Sequence, residues 1–211
     1  MLSKYIISEG VEAEGCLPRA ANYFLRDKYG VRFYVTNDYS VYVPNCPGIP
    51  NAEVHFHSDD ANEFESFVKD LFANGFHQNK TCSNHRHVRL VATAYRVFEI
   101  PSAVIRLIED YIVWSKSMPD PKKYIARVRN PFTYGVPQSW AKLRYTAINM
   151  YKMPELRTVE FRLFPYVSNA DELLEQSRWL RSEVDALVDE FKEIVIEDVI
   201  TNAEYHESGV L

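Results

Sequence analysis

The chain has 211 residues, of which 46% are hydrophobic and 25% charged, with a net charge of −5 at pH 7. That balance suits one domain over residues 1–211 with a buried core, and it argues against a nucleic-acid binder that relies on a broad basic face. No apolar run approaches the ~20 residues of a membrane span, and charged residues follow Met1–Ile7 too soon for a signal peptide. The three cysteines, Cys16, Cys46 and Cys82, form no close-spaced pair and read as reduced thiols in a cytoplasm. With 7 glycines, no Walker loop and no G-x-G-x-x-G, any nucleotide phosphate must be gripped by side chains and metals.

In chain order, Lys4 to Glu14 reads as a strand with Glu12 and Glu14 on one face and Val11 and Ala13 on the other. Pro18 opens a helix that runs to Tyr29 and closes at Gly30. Arg32–Asn37 and Val41–Pro44 read as short strands around a turn at Asn37-Asp38, and Ala52–His57 alternates with Glu53, His55 and His57 on one side. Asp60–Asn74 is an amphipathic helix with Gly75 at its end. Cys82–Ala92 is a strand with His85, His87 and Arg89 on one face, and Pro101–Met118 is a helix. Four prolines make Pro119–Ser139 read as a loop. Arg144–Lys152 and Arg157–Phe164 form a hairpin across Met153-Pro154-Glu155. Its second strand sets Val159, Phe161 and Leu163 against Glu160 and Arg162. Ser168 or Asn169 caps a long helix to about Ile196, and Asn202–Leu211 reads as frayed.

Four strands thus display the same kind of polar face: Glu12/Glu14, Glu53/His55/His57, His85/His87/Arg89 and Glu160/Arg162. Carboxylates two residues apart are too distant to share a proton, which needs about 3 Å. They suit hard divalent cations, with imidazoles joining the ligand set and arginines meeting phosphate oxygens. The plain alternative at each display is a solvated strand face. A zinc or iron site on His55, His57, His85 and His87 and a glycosidase carboxylate pair are further alternatives.

The ordered set GVEAEG (10–15), NDYS (37–40), AEVHFHS (52–58), NKTCSNHRHV (79–88), RYTAINMY (144–151) and TVEFRLFP (158–165) resembles the amidoligase family. That family belongs to the carboxylate–amine ligases with glutamine synthetase and glutamate–cysteine ligase. Three departures stand out. Ser83-Asn84 replaces the usual glycine and apolar residue, Phe164-Pro165 replaces a Gly-Thr turn, and a histidine-bearing stretch replaces the Ser-Pro expected after Glu53. The resemblance implies an α+β fold: a curved antiparallel sheet with helices on one face and a glutamine-synthetase-like ATP site on the other. It implies that Glu12, Glu14, Glu53, His85 and Glu160 bind magnesium, with manganese as the alternative ion. It implies that His87 and Arg89 meet nucleotide, that Arg144 and Asn149 lie toward substrate, and that Arg162 acts with Glu160 in phosphoryl transfer. The implied reaction activates a small-molecule, peptide or protein carboxylate with ATP, then forms an amide with an amine. A relative that has lost catalysis and serves in binding or assembly is the alternative.

Overall fold

The computed structural model describes residues 2–129, 147–150 and 157–207. Six strands form one sheet: β1 (Ile6–Pro18), β2 (Phe33–Asn37), β3 (Gly48–Ser58), β4 (Ser83–Leu90), β5 (Ile148–Asn149) and β6 (Thr158–Pro165). Their order across the sheet is β2-β3-β1-β4-β6-β5, and every pairing is antiparallel. The helices are α1 (Arg19–Tyr29), α2 (Ala61–Ala73), α3 (Ala92–Val97), α4 (Pro101–Ser115), α5 (Pro121–Arg129) and α6 (Ala170–Glu207). The molecule is therefore α+β. Among the described residues no helix is long and apolar enough to cross a membrane.

Alternation decides what the sheet faces. Val11, Ala13, Val54 and Phe56 join α1 and α2 in one core. Val88, Val159, Phe161 and Leu163 join α3, α4 and α6 in another. Burying each valine, leucine or phenylalanine of this set is worth about 1.5–3 kcal/mol, so a one-residue slip that turned the set to water would be far too costly. The opposite face is left polar. Two charged residues break the rule by sitting on the helix side. Glu9 and Arg86 are both fully buried there, and Arg181 of α6 donates to the Glu9 carboxylate at 2.7 Å.

The helix ends follow their chemistry. The Asp60 carboxylate accepts from the backbone N–H groups of Asn62 and Glu63, capping α2. At the other end Gly75, with φ 88°, and Phe76 return bonds to Phe72 and Leu71, which needs a residue tolerant of the left-handed conformation. Asn169 caps α6 through the Glu172 N–H.

Several expectations need correction. The Val41–Pro44 segment is not a strand; Val41 and Val43 are buried in a loop tied to β3 through the Val43 N–H and the Pro50 carbonyl. Within Pro119–Ser139, Pro121–Arg129 is helical, because proline suits a first helical position and Tyr124 packs on Tyr111 and Trp114. α3 follows β4 where the strand was expected to continue, and α6 extends well past Ile196. The hairpin pairing of β5 with β6 holds at Ile148↔Phe161 and Asn149↔Glu160, while its turn lies outside the described residues.

The reduced-thiol reading is also corrected. Cys16 and Cys46 form a disulfide with Cα atoms 5.7 Å apart, and Cys82 is a buried thiol in the same small cluster. Their separation of 30 residues hid the pair in the sequence. The β1–β3 pairing brings the end of β1 against the loop that precedes β3.

Candidate functional site

Register now decides which polar residues meet. Glu12 lies opposite His55 on one side and His85 on the other, and Glu14 lies opposite Glu53. Glu160 lies opposite both His87 and Asn149. Neighbouring strands run about 4.8 Å apart, so these rows bring the charged ends into contact.

Glu12 is the hub. Its carboxylate stands 3.0 Å from His87 Nε2, 3.3 Å from His85 Nδ1 and 3.5 Å from His55 Nδ1. Burial pushes its pKa up, but the three imidazoles outweigh this and hold it well below the ordinary carboxylate range. Glu14 behaves oppositely. Burial raises it, even though His85 and the Ser83 hydroxyl and N–H favour its charged form. Ser83 donates to it from the backbone N–H at 2.6 Å and the hydroxyl at 2.8 Å. Two carboxylates one strand step apart therefore hold protons very differently, a pattern typical of sites that do chemistry.

Burial likewise lowers His55, yet its contacts with Glu12 and Glu53 win and raise it to about 9. Burial lowers His87 too, and Glu12 together with the Glu160 charge outweighs it, leaving the ring above its usual value. Thr36 Oγ donates to Glu53 at 2.9 Å, and Tyr34 stacks on the His55 ring at 4.3 Å. Glu160 accepts from Asn149 Nδ2 and from Arg162 Nη1, each at 2.5 Å.

Two sets of three residues hold ligand atoms within 4.8 Å of one another: Glu12, His85 and Glu160; and Glu14, Glu53 and His85. Oxygen-rich sets of this kind suit a hard divalent cation. His85 belongs to both, with Nδ1 toward Glu12 and Glu160 and Nε2 toward Glu14 and Ser83. A neutral imidazole has one lone pair. His85 can therefore ligate in one set at a time, and the other must be completed by oxygen ligands. Neither set contains a second histidine, so the geometry does not assemble the four-histidine alternative; His57 lies apart.

The expected residues sort into three groups. Glu12, Glu14, Glu53, His85, Glu160 and Arg162 converge. Asn149 sits beside them but is bonded to Glu160. His87 bridges to a second region, a cleft of about 780 Å³ lined by Ser8, Gly10, His57, His87, Arg89, Arg157 and Thr158. Arg144 lies outside the described residues. Sequence reading missed Tyr34, Thr36 and Ser83 as neighbours of the cluster. Tyr34 and Thr36 share the alternation of β2, but only the register Tyr34↔His55 and Thr36↔Glu53 reveals their role. It also missed Arg127 of α5, whose Nη2 donates to the Arg162 carbonyl at 3.0 Å.

No protein-family model, no curated protein and no solved structure matches the chain.

Proposed function

We propose that this protein is an ATP- and magnesium-dependent carboxylate–amine ligase of the amidoligase type, with a glutamine-synthetase-like catalytic fold. The observation that carries the reading is the convergence of four carboxylates, from β1, β3 and β6, with His85 and Arg162 on one sheet face. The wholly antiparallel sheet with helices behind it supports the fold assignment. A phosphoryl transfer needs charge neutralisation and positioning more than covalent help from the protein. Glu12, Glu160 and His85 would hold one ion, and Glu14 with Glu53 a second, and the ions would neutralise phosphate charge. Arg162 would leave Glu160 for the charge that builds as the γ-phosphoryl moves to the carboxylate, with His87 and Arg89 toward the remaining phosphates. Amine attack on the acyl phosphate then forms the amide and releases phosphate. Manganese would serve in place of magnesium, and the substrates would be small-molecule or peptide carboxylates and amines. ATP dependence would put the activity in a cytoplasm; the Cys16–Cys46 bond is the feature that fits that compartment least well.

One observation favours a second reading. The Arg162 guanidinium and the Glu160 carboxylate already satisfy each other, as they would in a relative that keeps the fold for binding or assembly. Thermal melting separates the two. The ligase reading expects a rise in melting temperature with ATP and magnesium together that exceeds either alone, and phosphate release when a mixture of amino acids and peptides is supplied. Neither response in the wild type would leave the binding protein.

A further inference from the structure

The two edges of the sheet differ. At one edge β5 is two residues long, whereas at the other β2 runs for five, Phe33-Tyr34-Val35-Thr36-Asn37. An exposed edge is a template for a further strand, and proteins blunt such edges with lysine, proline or a bulge. β2 has no charged residue and no proline, its register on β3 is unbroken, and its valine, threonine and aromatic residues favour a strand. The register also fixes which backbone groups are engaged. The Asp38 N–H donates to the Asn51 carbonyl at 2.9 Å, one step beyond the Asn37↔Ala52 pair. Antiparallel rows alternate between bonded and non-bonded pairs. Thr36 and Tyr34 are therefore bonded to β3, and Val35 and Asn37 turn their N–H and C=O groups outward. Among the described residues no strand lies beyond them.

The two faces of this edge are chemically unlike. Tyr34 and Thr36 stand on the polar face, where the Thr36 hydroxyl donates to Glu53 and the Tyr34 ring stacks on His55. On the other face Val35 packs, half-buried, against the core beneath α1 and α2. A strand laid on β2 would continue both faces. Its front side chains would start two strand spacings, about 10 Å, from Glu53, a gap that extended lysine and glutamate side chains span together. Glu53 belongs to a cluster of four carboxylates and one guanidinium, Asp38 follows the strand, and the chain carries a net charge of −5. That balance favours a cationic partner. Rear side chains would meet Val35 and suit apolar residues. A second copy of β2 would bring no free cation, since the strand has none and Arg32 before it is paired with Glu63.

We propose that β2 is a docking edge for an extended basic peptide segment, added antiparallel as a further strand, with lysines on the polar face alternating with apolar residues on the Val35 face. Every pairing in this sheet is antiparallel. Strand addition draws affinity from main-chain bonds and specificity from alternate side chains. The register decides which peptide nitrogens matter. Residues directly opposite one another share a face, so the apolar residues lie opposite Val35 and Asn37 and form the bonded rows. The lysines lie opposite Tyr34 and Thr36, and their N–H groups point away to solvent. Docking of this kind needs neither ATP nor metal and stands apart from the ligase reading.

The test is isothermal calorimetry of the full, metal-free chain at low salt with the peptide acetyl-Lys-Val-Lys-Val-Lys-Val-Lys-amide. Three derivatives are compared with it: one methylated on the valine nitrogens, one methylated on the lysine nitrogens, and one with glutamate in place of every lysine. On the protein side, Val35→Pro removes an outward N–H at a position where an edge strand tolerates proline. The parent peptide should bind. Valine methylation, glutamate replacement and Val35→Pro should each weaken binding at least about tenfold, the scale of a few lost main-chain bonds or of reversed charge, while lysine methylation should leave it within about threefold. No binding of the parent, an equal response to the two methylation patterns, or a loss confined to lysine methylation would overturn the proposal. The methylated pair is measured on the wild type, so it decides the matter even if Val35→Pro fails to fold. Light scattering that shows a dimer split by Val35→Pro, with no peptide bound, would give the edge to a second copy and overturn the basic peptide.

Discussion

The sheet carries a charged cluster on each face, and the two are built differently. Behind it, Glu9 and Arg86 are fully buried, Arg181 bonds Glu9, and both guanidinium groups lie over the Phe64 ring, at 5.7 and 5.5 Å. Burial pulls Arg86 down to about 10, with Glu9 opposing, so it stays charged at neutral pH. In front, Glu12, Glu14, Glu53 and Glu160 crowd around three imidazoles and one guanidinium, and all but Glu14 keep partial access to solvent. The rear cluster sets two guanidinium groups against one carboxylate and is closed by an aromatic ring. The front cluster sets four carboxylates against one guanidinium, and imidazoles supply their remaining partners. Charges sealed against the core do structural work; carboxylates in excess of guanidinium groups are placed to bind a cation.

The largest expected effect tests the rear cluster. Glu9→Ala leaves buried guanidinium charge uncompensated and should cost about 3–5 kcal/mol in urea unfolding, with Mn²⁺ affinity of the folded protein unchanged. A cost below about 1 kcal/mol would erase the distinction between the faces. The acidic end of the front face is stapled by Cys16–Cys46, and Cys46→Ser should cost about 3–4 kcal/mol on the chain-entropy account of a 30-residue separation. The same unfolding curves, run oxidised and reduced, measure it, and a loss under reduction that the variant does not reproduce would refute the staple.

Arg162→Ala sharpens the front-face reading. Its fold and most ATP affinity should survive while turnover, followed by phosphate release, falls at least ~100-fold, about 2.7 kcal/mol in the transition state. Smaller still is the effect of Glu14→Gln on the metal-free chain. Burial already disfavours the Glu14 charge, and the amide oxygen can keep both Ser83 bonds. Stability should change by less than about 1 kcal/mol, while the rise in melting temperature with manganese should shrink. A large cost without metal would place Glu14 with the rear cluster instead.

The smallest effect is on pH dependence. His55 is raised from 6.5 to about 9 in the folded chain. Its protonated form therefore adds stability that is complete below the unfolded value near 6.5 and is lost as pH rises through 9. Metal-free melting temperatures should fall between pH 7 and 9.5, and His55→Gln should flatten that fall.

Strand parity was legible in the residues themselves. Val159, Phe161 and Leu163 against Glu160 and Arg162, or Val54 and Phe56 against Glu53 and His55, mark the two faces because side chains repeat every two residues. The cap of the long helix was legible as Ser168 or Asn169 for a local reason: a short polar side chain next to unpaired N–H groups. Parity cannot tell His55 from His57, which share a face, yet the first meets Glu12 and the second lines the basic cleft. Nor could it find the Cys16–Cys46 bond, the burial of Arg86 among apolar neighbours, or the sharing of His85 between two carboxylate sets. Each of these depends on which strand lies beside which and in what register. That choice is made by long-range burial and loop closure across the whole chain, and no local window of sequence contains it.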